Sequence, residues 1–363
     1  MSRSPYSQVP SRGFWKTGVA GQNPQNISDI YRSKFAISRG DAIATAGSCF
    51  AQHIARHLRQ RKFKILQYEP APRGMRAETA RKYGFGLYSC RYGNIYTAAQ
   101  MLQLAQEAFG RHIPADRVWE NNGRYFDSQR PNVEPGGFET ADQVLMSRER
   151  HLANVRRMLL EMDVLVFTFG LTETWVHTDS GTVFPTAPGT IAGSFDEKKY
   201  RFHNFSYSEV LRDFVRLKRL LKRARERKRK LRYIVTVSPV PLTATATGEH
   251  VLVASTYSKS VLRSVTGELM QTHRDVDYFP SYELITAPVT RGIFFEPNQR
   301  GITEAGVNTA MSAFLAEHDP QSGNDIDELT ENSALPANSA PSAIVKSDEE
   351  IVCEEAMLEA FQT

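Results

Sequence analysis

The chain has 363 residues, of which 41% are hydrophobic and 10% aromatic, and its formal net charge is +5. This length and composition allow one large hydrophobic core, so we expect a globular protein of enzyme size. No run of eighteen or more apolar residues occurs, and we therefore expect no membrane-spanning helix. The N-terminal residues lack the apolar stretch and the cleavage site of a secretory signal, which predicts a cytoplasmic location.

The cysteines and the distribution of charge narrow the class of protein further. Cys49, Cys90 and Cys353 are too few and too scattered for a disulfide framework or a zinc site, and we expect no metal ion and no cofactor. Residues 318–363 contain eleven Asp or Glu and one Lys. This tail therefore carries about −10 and the rest of the chain about +15, and its composition predicts an acidic, disordered segment.

The first folded element is expected after an extended, polar N-terminal arm at residues 1–34. Residues 42–46 are small or β-branched and uncharged, which is typical of a strand covered on both faces. Phe50, Ile54 and Leu58 then recur at helical spacing, so the strand gives way to a helix at Gly47-Ser48. Gly47 lets the chain bend tightly there because it adds no side-chain bulk.

Two interpretations are open for Ser48 at this turn. Its hydroxyl can cap the first free backbone amides of the helix, because serine is among the preferred capping residues. It can instead stand at the top of the sheet as a nucleophile, favoured by the positive end of the helix. Cys49, the next residue, is expected to point toward the sheet and to be buried.

The elements that follow alternate between helices and strands. We expect a short strand at residues 63–68, a helix at 98–110, and a polar, turn-rich insertion on the rim of the sheet at about 111–142. A helix at 143–162 leads into the most apolar strand, residues 163–170, and a long loop covers 181–205. Further strands are predicted at 232–239 and 276–283.

Five strands that alternate with helices predict an α/β fold. We expect a three-layer α/β/α sandwich with a mostly parallel, flavodoxin-like sheet, formed by one domain at residues 35–317. The oligomeric state is not indicated by the sequence.

A strongly basic segment at residues 216–230 lies within this domain. Leu217, Leu220 and Leu221 mark one face of a helix there. The segment predicts either a solvated surface helix with its apolar side on the core or a docking patch for an anionic partner, such as phosphate, an anionic glycan or nucleic acid.

Several short motifs resemble a known family. Gly47-Ser48-Cys49-Phe50-Ala51 matches the signature of GSCFA-domain proteins, which are similar to SGNH/GDSL-type esterases and acyltransferases. Ser-Pro-Val at 238–240 and Tyr-Phe-Pro-Ser-Tyr-Glu at 278–283 extend the resemblance over roughly residues 35 to 315. The resemblance implies an SGNH-like hydrolase or O-acyltransferase in which Ser48 attacks an acyl carbon. It also implies an acylated small molecule, carbohydrate or cell-envelope glycan as the substrate.

The resemblance also implies where an oxyanion would be held. Gly93-Asn94 resembles, by order and context, the element from which SGNH enzymes take a glycine amide, although a simple glycine turn is the other interpretation. The Ser48 backbone amide would be a further donor. Thr172 and Glu173 stand where the Asn and Asp of the SGNH Gly-x-Asn-Asp block are expected, and the Thr172 hydroxyl can donate one hydrogen bond. Trp175 either stacks on a sugar ring or packs in the core.

A general base is harder to identify. The Asp-x-x-His motif of SGNH enzymes is absent, because Asn298 and Gly301 occupy its positions with Arg300 between them. His250 is the first alternative and His177 the second. Glu173 is another, provided that burial or a neighbouring carboxylate raises its pKa.

A non-catalytic function is the remaining alternative. The chain would then be a binding or scaffold protein on a degenerate hydrolase fold, with residues 216–230 as a docking helix for an anionic partner.

Overall fold

The structure is a computed structural model that describes residues 4–225, 230–319 and 358. Its strands are β1 (Ile43–Gly47), β2 (Val118–Asn121), β3 (Arg124–Asp127), β4 (Val164–Phe169), β5 (Glu173–His177), β6 (Val183–Phe184), β7 (Tyr200–Asn204), β8 (Arg232–Val237) and β9 (Val276–Tyr278). Its α-helices are α1 (Phe50–Gln60), α2 (Ala77–Lys82), α3 (Ala98–Ala108), α4 (Ala141–Glu161), α5 (Tyr207–Ala224), α6 (Val251–Thr272), α7 (Ser281–Thr286) and α8 (Glu304–His318).

A parallel sheet in the order β1-β4-β8-β9 forms the centre of the molecule. The strand predicted at 63–68 is wrong in extent, since only Ile65 forms an isolated parallel bridge, to Ile43. Beyond this bridge the chain leaves the sheet, and the amide of Tyr68 donates to the carbonyl of Ser89 instead of to a strand. With this bridge included, the strand order is the flavodoxin-like one.

Helices cover both faces of the sheet, which confirms the α/β class and the three-layer sandwich. The first face of β1, β4, β8 and β9 packs in one hydrophobic cluster with α3, α4, α5 and α6. The second face packs in another cluster with α1, α7 and α8. The central strands are therefore apolar on both faces, and this two-sided burial is what their continuous apolar sequences predict.

Two smaller antiparallel sheets lie outside the central one. The rim insertion at 111–142 contains the hairpin of β2 and β3. The expectation of a long loop at 181–205 is wrong in part, because β6 and β7 flank β5 in a three-stranded sheet. The sequence gives little sign of either strand. β6 has two residues and β7 is an edge strand, and both pair with β5 through backbone groups, which leave little hydrophobic pattern in the sequence.

The strand predicted at 276–283 is also too long. It ends at Tyr278, and α7 begins at Ser281. Pro280 lies between them and has no backbone N–H to donate to a neighbouring strand, so the ladder cannot continue through it.

The ends of the domain differ in how they relate to the core. In the N-terminal arm, Tyr31 is buried, and its hydroxyl donates to Asp277 at 3.0 Å.

The basic segment lies in α5 up to Ala224, whereas residues 226–229 lie outside the described residues. The acidic tail lies outside them too, apart from residues 318, 319 and 358. None of the helices in the described part of the chain has the length and apolar character needed to cross a membrane.

Candidate functional site

Ser48 directly follows β1 at the carboxyl edge of the central sheet. Its backbone amide donates to the carbonyl of Thr168 in β4 at 3.1 Å. Gly47 has a φ of +133°, and a Cβ atom there would clash with the Thr168 carbonyl oxygen. The close approach of β1 and β4 at this turn therefore requires glycine at position 47.

The hydroxyl of Ser48 is buried and does not cap the helix. The residue is 2% exposed, and Oγ has no hydrogen-bond partner. Cys49, which is also buried, is the N-cap residue of α1, and its side chain makes no capping hydrogen bond. The capping interpretation is therefore wrong, and the Ser48 amide is not available as an oxyanion donor because Thr168 already accepts from it.

Two loops converge on Ser48. The first contains residues 93–97, and the amide of Ile95 donates to the carbonyl of Gly47 at 2.9 Å. The second contains residues 170–172 after β4. A Cβ atom on Gly170 would lie 2.9 Å from Cβ of Ser48 and 3.0 Å from Cδ1 of Tyr96. The backbone of Gly170 thus packs directly against the serine.

Asn94 is the buried amide of the first loop, with 3% of its surface exposed. Its Oδ1 accepts from the hydroxyl of Tyr88 and, at 3.4 Å, from Nε2 of Gln52. These two donors fix the side-chain amide, so its Nδ2 donor faces away from Tyr88. The φ of Gly93 is +70°, a left-handed conformation that glycine adopts without strain and that makes the turn into Asn94.

Thr172 and Lys259 bring further polar groups to the second loop. Thr172 is fully buried, its amide donates to Oγ of Ser258 at 3.0 Å, and its hydroxyl has no hydrogen-bond partner. Lys259 of α6 is 4% exposed, and its Nζ donates to the carbonyl of Gly170 at 2.6 Å. Gly170 therefore contacts both Ser48 and Lys259.

Sequence reasoning missed Lys259, although a signal exists. The buried positions of α6 include Ser255, Ser258, Lys259 and Leu262, which share one face at spacings of three and four. A lysine at a position where this spacing predicts burial is unusual, because lysine is almost never fully buried unless it has a partner.

Glu173 begins β5, next to Thr172 in the chain. Its carboxylate accepts from the hydroxyl of Thr245 at 2.8 Å and therefore lies against the loop after β8. Burial raises the pKa of Glu173, and the charge of Glu249 adds to the shift. This is the direction that a role as a base requires.

Three of the predicted site residues are engaged elsewhere. His177 lies at the other end of β5, where Nδ1 accepts from the amide of Ser180 at 3.2 Å. Trp175 is half-buried and packs edge-on against Phe195, whose side chain is itself exposed. Arg300 donates from Nε and Nη2 to the carbonyl of Pro241, at 3.3 Å in each case.

His250 lies at the N-terminus of α6, away from Gly170. It is exposed, and its Nδ1 accepts from the amide of Leu252 at 3.2 Å. Lys259, nine residues further along the helix, is the residue that contacts Gly170. At 1.5 Å per residue, His250 therefore lies about 13 Å from Lys259 along the helix axis. This placement argues against His250 as the base for Ser48.

These features define an α/β protein with a buried, unpartnered serine hydroxyl at the strand-to-helix turn of its central sheet. The model of the GSCFA family matches residues 42–314, which is more than half of the chain. The chain belongs to the GSCFA family. The matched range includes Ser48 and the four parallel strands. No curated protein and no solved structure matches the chain.

Proposed function

We propose that the chain is a serine-dependent ester hydrolase or O-acyltransferase in which Ser48 is the nucleophile. The observation that carries this proposal is the Ser48 hydroxyl, which is buried without a hydrogen-bond partner at the carboxyl edge of the sheet. A buried hydroxyl that lacks a partner costs about 1–3 kcal/mol. The hydroxyls of Thr45, Ser128, Thr168 and Thr172 are buried in the same way, and Ser48 differs from them by its place at the strand-to-helix turn that follows β1. The resemblance of the family to SGNH enzymes supports the same chemistry.

In the proposed reaction, Ser48 Oγ attacks the carbonyl carbon of an ester and its proton passes to a base. The carbonyl oxygen takes up negative charge in the tetrahedral intermediate, and Nδ2 of Asn94 and the hydroxyl of Thr172 donate to it. The intermediate collapses to an acyl-enzyme as the alcohol leaves with a proton from the protonated base. Water or a sugar hydroxyl then takes the acyl group, and Ser48 recovers its proton.

We assign the role of base to Lys259. Serine–lysine pairs are an established variant of serine–histidine catalysis. Nζ of Lys259 and the side chain of Ser48 both contact Gly170, so one residue separates them. Since Ser48 Oγ has no hydrogen-bond partner, the two groups must come closer when substrate binds, as catalytic contacts in unliganded enzymes commonly do. Glu173 is the alternative base, because burial raises its pKa.

A fluorophosphonate that reacts with activated serines tests this proposal. We expect labelling of the wild-type chain, no labelling of Ser48→Ala, and at least hundredfold slower labelling of Lys259→Met. Glu173→Gln is the matched test of the alternative base and should label at close to the wild-type rate. Labelling that survives in Ser48→Ala would refute the nucleophile, and slow labelling of Glu173→Gln alone would move the role of base to Glu173.

The second candidate is a non-catalytic binding protein. The burial of Ser48 favours it, because at 2% exposure an ester reaches the hydroxyl only if the loops at 93–97 and 170–172 move. A basic surface on α5 could then dock an anionic polymer through four exposed cations, namely Arg216, Arg219, Lys222 and Arg223. Heparin affinity that falls steeply with salt and with alanine substitutions at these four positions, in a chain that no phosphonate labels, would favour this candidate.

A further inference from the structure

A cavity of about 810 Å³ opens between α4, the rim insertion at 111–142 and residues 68–70. One wall is a single face of α4, because Gln143, Ser147, Arg150 and Asn154 are spaced four, three and four residues apart. The buried positions of α4 fall between these residues in the sequence and point into the protein. A cavity of this volume is in the range of small-molecule sites.

Glu69 places a partly exposed carboxylate in the wall of this cavity. Its side chain is 12% exposed, and its Oε2 accepts from the amide of Arg91 and from Nδ1 of His151, at 2.7 Å in each case. Oε1 lies 3.8 Å from Nη1 of Arg130, which is beyond hydrogen-bond distance. This oxygen accepts no hydrogen bond within the described part of the chain and is not sealed from solvent. Oε1 is therefore open to a donor from a ligand.

Glu69 also belongs to a buried network that has an excess of negative charge. Three carboxylates are paired with two guanidinium groups, namely Glu69, Glu107 and Asp127 with Arg130 and Arg148. Burial lowers the pKa of His151 to about 4, so its ring adds no positive charge at neutral pH. Burial alone would raise the pKa of Glu69, but its interactions with His151 and Arg130 lower it to about 2. Of the network, Glu69 is the member that lines the cavity, and a cation beside it would balance the charge.

Arg150 supplies the opposite charge to the same wall. It is exposed, and its guanidinium makes no hydrogen bond or ion pair within the described part of the chain. It precedes His151 in α4, and the ring of His151 contacts Glu69, so the two charges belong to neighbouring parts of the wall. The other lining arginines, Arg91 and Arg124, are engaged, since each donates to two backbone carbonyl groups.

We propose that this cavity binds a short peptide of two or three residues with free termini. The protonated amine would donate to Oε1 of Glu69, and the carboxylate would accept from the guanidinium of Arg150, whose planar fork matches two oxygens. The side-chain amides of Gln143 and Asn154 carry the donors and acceptors that pair with peptide groups. Apolar surface for the peptide side chains comes from Pro70, Phe138 and Met146.

The size and the charges of the cavity favour this ligand over simpler ones. About 810 Å³ equals the liquid volume of roughly 27 water molecules, which is more than a free amino acid fills. Glu139 is the other lining carboxylate, but it is exposed, and solvent screens its charge. The amine is therefore attracted more strongly by Glu69, which lies in a less polar environment. This binding does not depend on the proposed function.

Titration calorimetry on the full chain at neutral pH tests the proposal with phenylalanyl-leucine, its N-acetyl form, its C-terminal amide and free phenylalanine. We expect saturable binding of phenylalanyl-leucine and at least tenfold weaker binding of the other three, because each lacks a charged end or the required length. Glu69→Gln should weaken binding of phenylalanyl-leucine tenfold or more and leave that of the N-acetyl form within twofold of its wild-type value. Arg150→Gln should weaken binding of phenylalanyl-leucine several-fold and leave that of the C-terminal amide unchanged.

Glu139→Gln is the matched control, because it removes the exposed lining carboxylate. Four results would overturn the proposal: no saturable binding of phenylalanyl-leucine, blocked forms that bind as tightly as the free peptide, a loss in Glu69→Gln no larger than in Glu139→Gln, or unchanged affinity in Arg150→Gln. Since Arg150 is exposed, Arg150→Gln keeps the test decisive if Glu69→Gln does not fold. Ser48→Ala should bind phenylalanyl-leucine like the wild type, whether or not the wild type reacts with a phosphonate, which separates this proposal from the catalytic one.

Discussion

Two buried serines differ in what their hydroxyls do, and the difference predicts opposite effects on stability. Oγ of Ser48 has no partner, whereas Oγ of Ser89 accepts from the amide of Thr45 at 3.0 Å. We expect Ser48→Ala to leave the free energy of unfolding unchanged or to raise it by up to about 1 kcal/mol. Ser89→Ala should lower it by about 1–3 kcal/mol, because the Thr45 amide loses its acceptor. Urea unfolding of both variants measures the two changes.

This pair also tests the reason that we give for Ser48. A residue kept for function at some expense to stability should give a more stable but inactive variant. If Ser48→Ala is instead destabilised as much as Ser89→Ala, the hydroxyl supports the fold, and the observation that carries the proposed function is lost.

Sequence could predict those site residues whose position follows from the order of strands. Ser48 and Thr172 follow β1 and β4, and neighbouring parallel strands end at the same edge of a sheet, so their placement at this edge was foreseeable. Lys259 was not, because it reaches the carbonyl of Gly170 from 89 residues away through the packing of α6.

At the scale of elements, buried ion pairs hold the hairpin of β2 and β3 against the helices. Arg148 of α4 contacts Glu107 of α3 at 2.7 Å and Asp127 of β3 at 3.6 Å. Arg130, which is fully buried, contacts Asp127 at 2.6 Å. Burial alone would raise the pKa of Asp127, but Arg148 and Arg130 lower it below its ordinary value. The rim insertion is thus fixed to the domain by charges.

Arg148→Met should therefore destabilise the protein strongly. The substitution leaves the buried carboxylates of Glu107 and Asp127 with one arginine fewer, and breaking a buried pair in this way costs about 3–5 kcal/mol. Arg32→Met is the matched control, because Arg32 and its partner Asp29 are both exposed and the loss of this pair should change stability little. Chemical denaturation of both variants gives the comparison.

A second variant separates charge from packing. Glu107→Gln combined with Arg148→Met removes the carboxylate as well as the arginine, so it should recover part of the stability lost in Arg148→Met. Equal losses in Arg148→Met and Arg32→Met would show that the network contributes little.

The same elements show why secondary structure was predicted unevenly. β4 and β8 are six residues long, and four or more of those residues are apolar and buried on both sides, so their sequences alone reveal them. β6 has two residues, and the bridge at Ile65 has one, so their pairing depends on neighbours that approach only in the folded chain. Likewise, no local sequence pattern predicts the ion pairs around Asp127, because their charged residues come from three separate elements.

At the scale of the whole molecule, stability is tied to pH by histidines whose burial lowers their pKa, namely half-buried His53, buried His318 and fully buried His151, whose pKa falls to about 4. His53 lies in α1 and His318 at the end of α8, on the same side of the sheet. Burial is the largest cause of both shifts, and it lowers the pKa of His53 to about 3 and that of His318 to about 4. Arg56 and His57 add to the first shift and Arg232 to the second, against the opposing charge of Glu317.

Because these folded-state pKa values lie below the ordinary value of about 6.5, the unfolded chain binds protons first as pH falls. The stability that comes from keeping these rings neutral is therefore complete above about pH 6.5, and the free energy of unfolding declines from there toward pH 4. Each histidine should lower the free energy of unfolding by about 2 kcal/mol between pH 7 and pH 5. Urea unfolding at both pH values measures this loss. We expect the full loss in the wild type and a loss that is about 2 kcal/mol smaller in His53→Gln or in His318→Gln. The double variant should show the smallest loss. A loss of the same size in all four proteins would mean that neither ring is held neutral by the fold.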